Sequence, residues 1–469
     1  MAGGDRSGRD PVSSTRSFLT DISRSFCAGE ISATSRVQTA LEKVAELNGP
    51  LGMFVATFSE SALQQAADLD DRIRSGYAPG PLAGAVLGVK DIIQTREGPT
   101  KANSTTLEGG LSAQDAPAVA ALRRAGAIVL GKTTTSEFAV GLPDAEMQAQ
   151  LPRNPWRPQH WTGGSSAGSA GALAAGAVHC ALGSDTGGSI RTPAAYCGVT
   201  GLKPTYGLVP TAGTIPLAHS LDHVGPMARS AYDTALLLDV LAPGPAESYT
   251  SSLSGDLTGL RVGFDRLQAA HTSAEAPELE QVFTSALAAL EDRGAQLTPV
   301  ELPYYHQLST AAMVTLYSEA LAYHRRSLSA QWQQYGTPTR LALASGVFYT
   351  GGDYRRAQEV RGLGAKLIHQ LFHSVDVIVT PTAGTAAPRY EDLDSAMETR
   401  LGGSLGRVYT AYWNALGNPA VSVPMGFSSD RLPLGLQIIG RHFDERGVLR
   451  AADAFQQETD WHLHQPNGH

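Results

Sequence analysis

The sequence predicts an α/β protein, and three observations carry that prediction. Apolar runs of strand type at 81–95, 128–130, 376–382 and 420–424 are interspersed with segments of helical spacing at 33–47, 59–75, 116–125, 277–292 and 355–373. The apolar stretch 170–182 reads as a buried helix leading into a strand. At 469 residues, length suggests two or three domains, yet α/β enzymes of this size also fold as one.

The elements follow in chain order. Residues 1–15 are polar and glycine-rich with no apolar core, so a flexible end is expected here in place of a secretory leader. Ser59 is the expected N-cap of the second helix, whose Leu63, Ala66, Ala67 and Ile73 are expected to face inward. The run 81–95 carries a single lysine, Lys90. Flanked by Val89 and Ile92, it either snorkels outward or pairs with Asp91. Residues 126–133 spell the phosphate-loop pattern G-x-x-x-x-G-K-T. That pattern needs a strand before the first glycine and free N–H groups after it. Here a helix precedes the glycine and the loop positions are themselves a strand, so nucleotide binding is rejected and Lys132 is assigned to structure.

The chain is organised around 161–190, WTGGSSAGSAGALAAGAVHCALGSDTGGSI, with eight Gly, seven Ala and five Ser in thirty residues. Glycine permits close backbone approach, and serine supplies hydroxyls that donate, accept or attack. A flexible linker is excluded by Leu173, Val178, Leu182 and the alanine run. A nucleophile elbow centred on Ser166 needs a strand running into it, and 152–160 does not read as one. Two serine-bearing turns flanking a packed element instead suggest a paired-serine hydrolase. His179, in the apolar middle, reads as a core histidine.

These turns, GGSSAGS at 163–169 and GSDTGGSIRTPAAYCG at 183–198, resemble the amidase signature family of amide hydrolases. The likeness continues through LGVKD at 87–91, AGAIVLGKTTTSEFA at 125–139, GLKPTYGLVP at 201–210, SLDHVGPMARSAYD at 220–233, DVIVTPTAG at 376–384 and NALGNPAVSVPMG at 414–426. The family's usual proline near Val86 is missing. The resemblance implies a single α/β/α sandwich domain with a mixed central sheet, here over 16–460, followed by a polar tail at 461–469. Residue by residue, it implies Ser189 as nucleophile, Ser165 as bridging serine after a cis peptide, and Lys90 as terminal base. The intervals of 24 and 75 residues suit it. It further implies an oxyanion hole from the N–H groups of Thr186, Gly187, Gly188 and Ser189, with Ser166, Asp185 and Arg191 holding the turn. A buried lysine loses part of its preference for the charged form, which would free the Lys90 amine as a base. No cofactor and no metal are implied.

Substrate range is less legible. The segment 142–152 departs from the family's glycine- and asparagine-rich stretch and is read either as a lid or as a neutral loop variant. Leu142, Met147, Arg407, Tyr409 and Trp413 are candidate pocket residues, with core packing the alternative for the aromatic ones. Net charge is −8 and pI about 5.9, which argues against nucleic acid or anionic membrane as partner. Cys27, Cys180 and Cys197 form no C-x-x-C and are odd in number, which fits a reducing, cytoplasmic setting. Two functions remain. One is a stand-alone hydrolase of small or aryl amides, extending to carbamates (a urethanase) or esters, acting on small molecules as a monomer or homodimer. The other is the glutaminase subunit of a tRNA-dependent amidotransferase. The family's glutaminase subunit holds the glutamine ammonium with an acidic residue twelve positions before its N-L-A-G-x-P proline. The matching residue here is Arg407, which favours the stand-alone expectation.

Overall fold

The computed structural model describes residues 17–107, 109–140, 142–143, 151–242, 247–267, 278–393 and 408–466. The strands are β1 Phe54–Thr57, β2 Val86–Lys90, β3 Ile128–Thr133, β4 Arg153–Asn154, β5 Arg157–Trp161, β6 Cys180–Asp185, β7 Thr200–Lys203, β8 His223–Ala228, β9 Arg261–Phe264, β10 Gln296–Pro299, β11 Val377–Pro381, β12 Ala420–Phe427 and β13 Pro433–Gly440. Eleven of them form one mixed sheet in the order β1-β3-β2-β6-β8-β7-β12-β13-β11-β9-β10. Within it β2 runs parallel to both β3 and β6, while β8 is antiparallel to β6 and β7.

Both faces of the sheet are covered, and the alternation of side chains shows it. Leu87, Val89, Val129 and Leu182 enter one apolar cluster, whereas Val86, Ile128, Leu130 and Ala181 enter another. Helices Pro117–Arg124, Ala231–Leu241, Leu279–Asp292 and Glu445–Glu458 pack on the first face. Helices Ala33–Leu51, Ser59–Arg74 and Ala167–Ala174 pack on the second. The result is the α/β/α arrangement expected from the resemblance. No helix among the described residues is long and apolar enough to cross a membrane.

Several local readings change. Ser59 is the first helical residue and not the cap; Phe58 holds the cap position with no side-chain bond. The fully buried residues of that helix are Ala62, Ala66 and Leu69, and Leu63 and Ile73 of the expected face pack part-buried against the same apolar cluster. Its Asp70 instead accepts the Ala33 and Thr34 N–H groups at 2.8 and 3.1 Å, capping the preceding helix across a tertiary contact. Residues 152–160 contain a two-stranded ribbon, β4 with β5, set apart from the main sheet. The tail is packed through its first residues: His462 is buried, and Trp461 meets Phe427 edge-on at 5.9 Å. Residues 1–15 lie outside the described residues. Lys132 sits in β3, buried, donating to Ile93 O and to Thr100 Oγ1, with Asp91 3.8 Å away. The glycines of the phosphate-loop pattern are thus committed to a sheet and its entry turn.

Candidate active site

The site forms where β2 and β6 end side by side and the helix Ala167–Ala174 returns across them. Lys90 is the last residue of β2 and is fully buried. Its Nζ donates to Ser165 Oγ at 2.7 Å and to Ser184 Oγ at 2.9 Å, so it neither snorkels nor pairs with Asp91. Burial pulls its pKa down from 10.5 to about 7, against the opposing pull of Asp185 and Asp222. The Gly164–Ser165 peptide is cis. Ser165 is buried, and Ser189, half-buried, lines the same cavity.

Close approach explains the small residues. A Cβ at Gly168 would stand 2.2 Å from Met53 O and 2.3 Å from Thr134 N, because the helix Ala167–Ala174 starts directly against that backbone. Gly188 has φ +131°, and a Cβ there would fall 2.0 Å from Thr410 Oγ1. Thr410 in turn donates to Gly187 O at 2.7 Å.

The turn 185–189 is held from within by Asp185. Its carboxylate accepts the N–H groups of Gly188 at 2.9 Å and Ile190 at 3.2 Å, together with Asn414 Nδ2 at 2.8 Å. Arg191, wholly buried, binds it bidentately at 2.9 and 3.0 Å and reaches Thr410 O, Gln437 and Asn414. The guanidinium keeps the Asp185 carboxyl well below its usual range despite the burial. Ser166 braces the base of the turn: its Oγ donates to Ser184 O and accepts the Ser184 N–H, both at 3.2 Å. Gly188 therefore gives its N–H to Asp185; Gly187, Gly188 and Ser189 line the cavity, and Thr186 lines a second cavity beside it. His179 is half-buried and accepts the Val86 N–H at 3.0 Å; burial lowers its pKa to about 4.

The cavity walls differ from those expected. Tyr409 and Trp413 are 2% and 0% exposed and belong to an apolar core with Tyr412, Ile378 and Ile439, so neither lines the cavity. Leu142 packs toward Trp161 and Tyr196 and is likewise absent from the lining. Met147 and Arg407 lie outside the described residues, as does most of the segment 142–152. The walls come instead from Val140, Trp161, Leu217 and, on the helix Tyr305–Ala330, Met313, Leu316 and Tyr317. Met313 and Leu316 approach to 3.6 and 3.7 Å of a Cβ built on Gly187. Their i, i+3, i+4 spacing was the available signal, but it is also that of any buried helix face. Ser184 and Asp222 escaped sequence reasoning as well, although both stand inside stretches that carry the family resemblance.

A buried amine on one hydroxyl, with a second serine on a glycine turn in the same cavity, can relay a proton during attack on a carbonyl. The chain belongs to the amidase family, whose family model, Amidase, matches residues 35–449. It is an enzyme of that family, acting on carbon–nitrogen bonds. The sequence is 37% identical over 475 residues to the A-type subunit of glutamyl-tRNA(Gln) amidotransferase from Chloroflexus aggregans, covering 94% of this chain and 96% of that protein. Among solved structures, one described as a vestigial protein complex revealing the evolutionary origins of an s-triazine catabolic enzyme superposes with TM-score 0.85 at 30% identity, over 93% of this chain and 98% of that one. The native peptide amidase of Stenotrophomonas maltophilia gives 0.78 at 30% identity, over 94% and 96%.

The likeness to the A-type amidotransferase subunit overturns two expectations. One is the stand-alone hydrolase; the other is a monomer or homodimer that serves small molecules alone, without protein or nucleic-acid partners. The charge argument from Arg407 rested on one position counted back twelve residues from Pro419, where a single inserted residue moves the match. The similarity is spread over nearly the whole chain and does not depend on that register.

Proposed function

We propose that this chain is the amide-cleaving component of a tRNA-dependent amidotransferase, releasing ammonia from the side-chain amide of glutamine through an acyl-enzyme on Ser189. The observation that carries the chemistry is the 2.7 Å contact between a fully buried Lys90 amine and Ser165 Oγ. The likeness to the A-type amidotransferase subunit over nearly the full chain supports the assignment of donor and partners.

In this mechanism neutral Lys90 accepts the proton of Ser165, and Ser165 accepts that of Ser189 as Ser189 Oγ bonds to the amide carbon. The carbonyl oxygen becomes an oxyanion facing the N–H groups of Thr186, Gly187 and Ser189. The relay then reverses, the proton passes to the amide nitrogen, the C–N bond breaks and ammonia leaves. A water molecule, deprotonated by the same relay, cleaves the Ser189 ester and releases glutamate. Each oxyanion donor contributes about 3 kcal/mol in such sites. The test is ammonia release from glutamine by the chain alone and with its partner subunits and glutamyl-tRNA, using Ser189→Ala as control. Glutamine-dependent amidation that requires Ser189 supports the proposal; no release in any combination refutes it.

A further inference from the structure

The turn 185–189 is a partition. The cavity with Ser165 and Ser189 lies on one side, and a second cavity, lined by Ile92, Ser184, Thr186, Leu217, Asp222 and His223 among others, lies on the other. Asp185 and Arg191 hold the partition from within. Its second face has a separate anchor.

That anchor follows from register. Asp185 of β6 pairs with His223 of β8, and continuing the antiparallel register sets Thr186 opposite Asp222. There Thr186 Oγ1 donates to Asp222 Oδ1 at 2.6 Å. The same carboxylate accepts the Leu217 N–H at 3.0 Å and the Ala218 N–H at 3.1 Å. Leu217 borders both cavities. One buried carboxylate therefore ties the turn that faces the substrate to the loop that forms its wall. The two backbone groups can only donate, whereas the Thr186 hydroxyl can also accept, so an amide at 222 that keeps its oxygen on the Leu217 and Ala218 N–H groups would reverse the bond to Thr186 and replace a charge-assisted contact by a weaker neutral one.

We propose that Asp222 is a positioning residue: through the Thr186 hydroxyl it fixes the Thr186–Ser189 turn in the orientation that aims its N–H groups at the oxyanion. The inference rests on the acyl-enzyme chemistry proposed for Ser189. It concerns geometry that matters only as charge develops, because a donor displaced by a fraction of an ångström still admits substrate but stabilises the transition state less.

The experiment measures kcat and KM for amide hydrolysis, and the affinity of a boronic acid that forms a tetrahedral adduct on the nucleophile, in Thr186→Val, Thr186→Ser, Asp222→Asn and the Thr186→Val/Asp222→Asn pair. Thr186→Val preserves side-chain size and removes only the hydroxyl, so it remains informative if Asp222→Asn fails to fold. Expected are a kcat lower by about tenfold or more, an essentially unchanged KM and a parallel loss of boronate affinity in Thr186→Val. Thr186→Ser should restore kcat, and the double variant should be no worse than Asp222→Asn. Wild-type kcat in Thr186→Val, or Thr186→Ser no better than Thr186→Val, overturns the proposal. Ser189→Ala separates the two levels: activity surviving it overturns the hydrolase reading, whereas activity lost with it and intact in Thr186→Val overturns only the role of Asp222.

Discussion

The pH dependence of amide cleavage follows from where Lys90 sits. A solvated lysine with a pKa of 10.5 is neutral in about one molecule per thousand at pH 7.5. At the pKa of about 7 that burial gives Lys90, most molecules are neutral at that pH. The difference of about 3.5 pH units corresponds to about 5 kcal/mol favouring the free amine. The profile of kcat/KM should therefore rise through pH 7 and level off above 8. Lys90→Arg, whose guanidinium stays protonated, should be inactive across the range, and Lys90→Met should be equally so. The sign for stability is fixed by the same shift. The folded pKa lies below the unfolded one, so the protonated lysine destabilises the fold fully below about pH 7, and this cost fades as pH rises toward 10.5. Lys90→Met should accordingly gain most stability near pH 6 and progressively less toward pH 10, measured by urea unfolding. A rate limb that appears only near pH 10, or a Lys90→Arg variant that retains activity, would refute the reasoning.

Other outcomes follow from the same geometry. Arg191→Met leaves Asp185 buried without its cation and should lower stability by about 3–5 kcal/mol, read as a lower urea midpoint; an unchanged midpoint contradicts this. Gly188→Ala should cost about a hundredfold in kcat, since its Cβ would meet Thr410 Oγ1 and φ is +131°. Adding Thr410→Ala should not rescue it, because the backbone conformation is still one that alanine avoids. Burial pushes the Cys180 and Cys197 thiols up while Cys27 is exposed, so a thiol-alkylating reagent should modify one cysteine in the native chain and three after denaturation, counted by intact mass. Tyr317→Ala should shift kcat/KM toward amides with bulkier acyl groups by roughly tenfold, because Tyr317 walls the cavity that holds Ser189.

What was legible in the sequence was whatever depends on backbone chemistry at fixed spacing. Gly163, Gly164, Gly168 and Gly188 mark close approaches that a side chain would obstruct, and the apolar runs of β2, β3, β6 and β11 mark strands buried on both faces. Less legible was everything set by a partner distant in the chain. Nothing around Asp70 indicates that it caps a helix beginning at Ala33, and nothing around Asp222 indicates Thr186, thirty-six residues earlier. Tyr409 and Trp413 have the composition of a pocket wall, yet they fill the space beneath the helix Tyr305–Ala330, whose Met313 and Tyr317 do the lining. Gly188 has the right position for an oxyanion donor, but its N–H is claimed by the carboxylate three residues before it. The stand-alone expectation failed for a related reason: it rested on one charge at one position, whereas the likeness to the amidotransferase subunit is spread along the chain.

The account turns on Ser189 as the residue that carries the acyl group. The direct measurement is to mix the enzyme with glutamine, quench in acid within milliseconds and map the modified peptide by mass spectrometry. A glutamyl adduct on Ser189, absent from Ser189→Ala and accumulating when partner subunits are withheld, is the predicted result. Ammonia release with an adduct on Ser165 or Ser166, or with the Ser189→Ala variant still turning over, would contradict it.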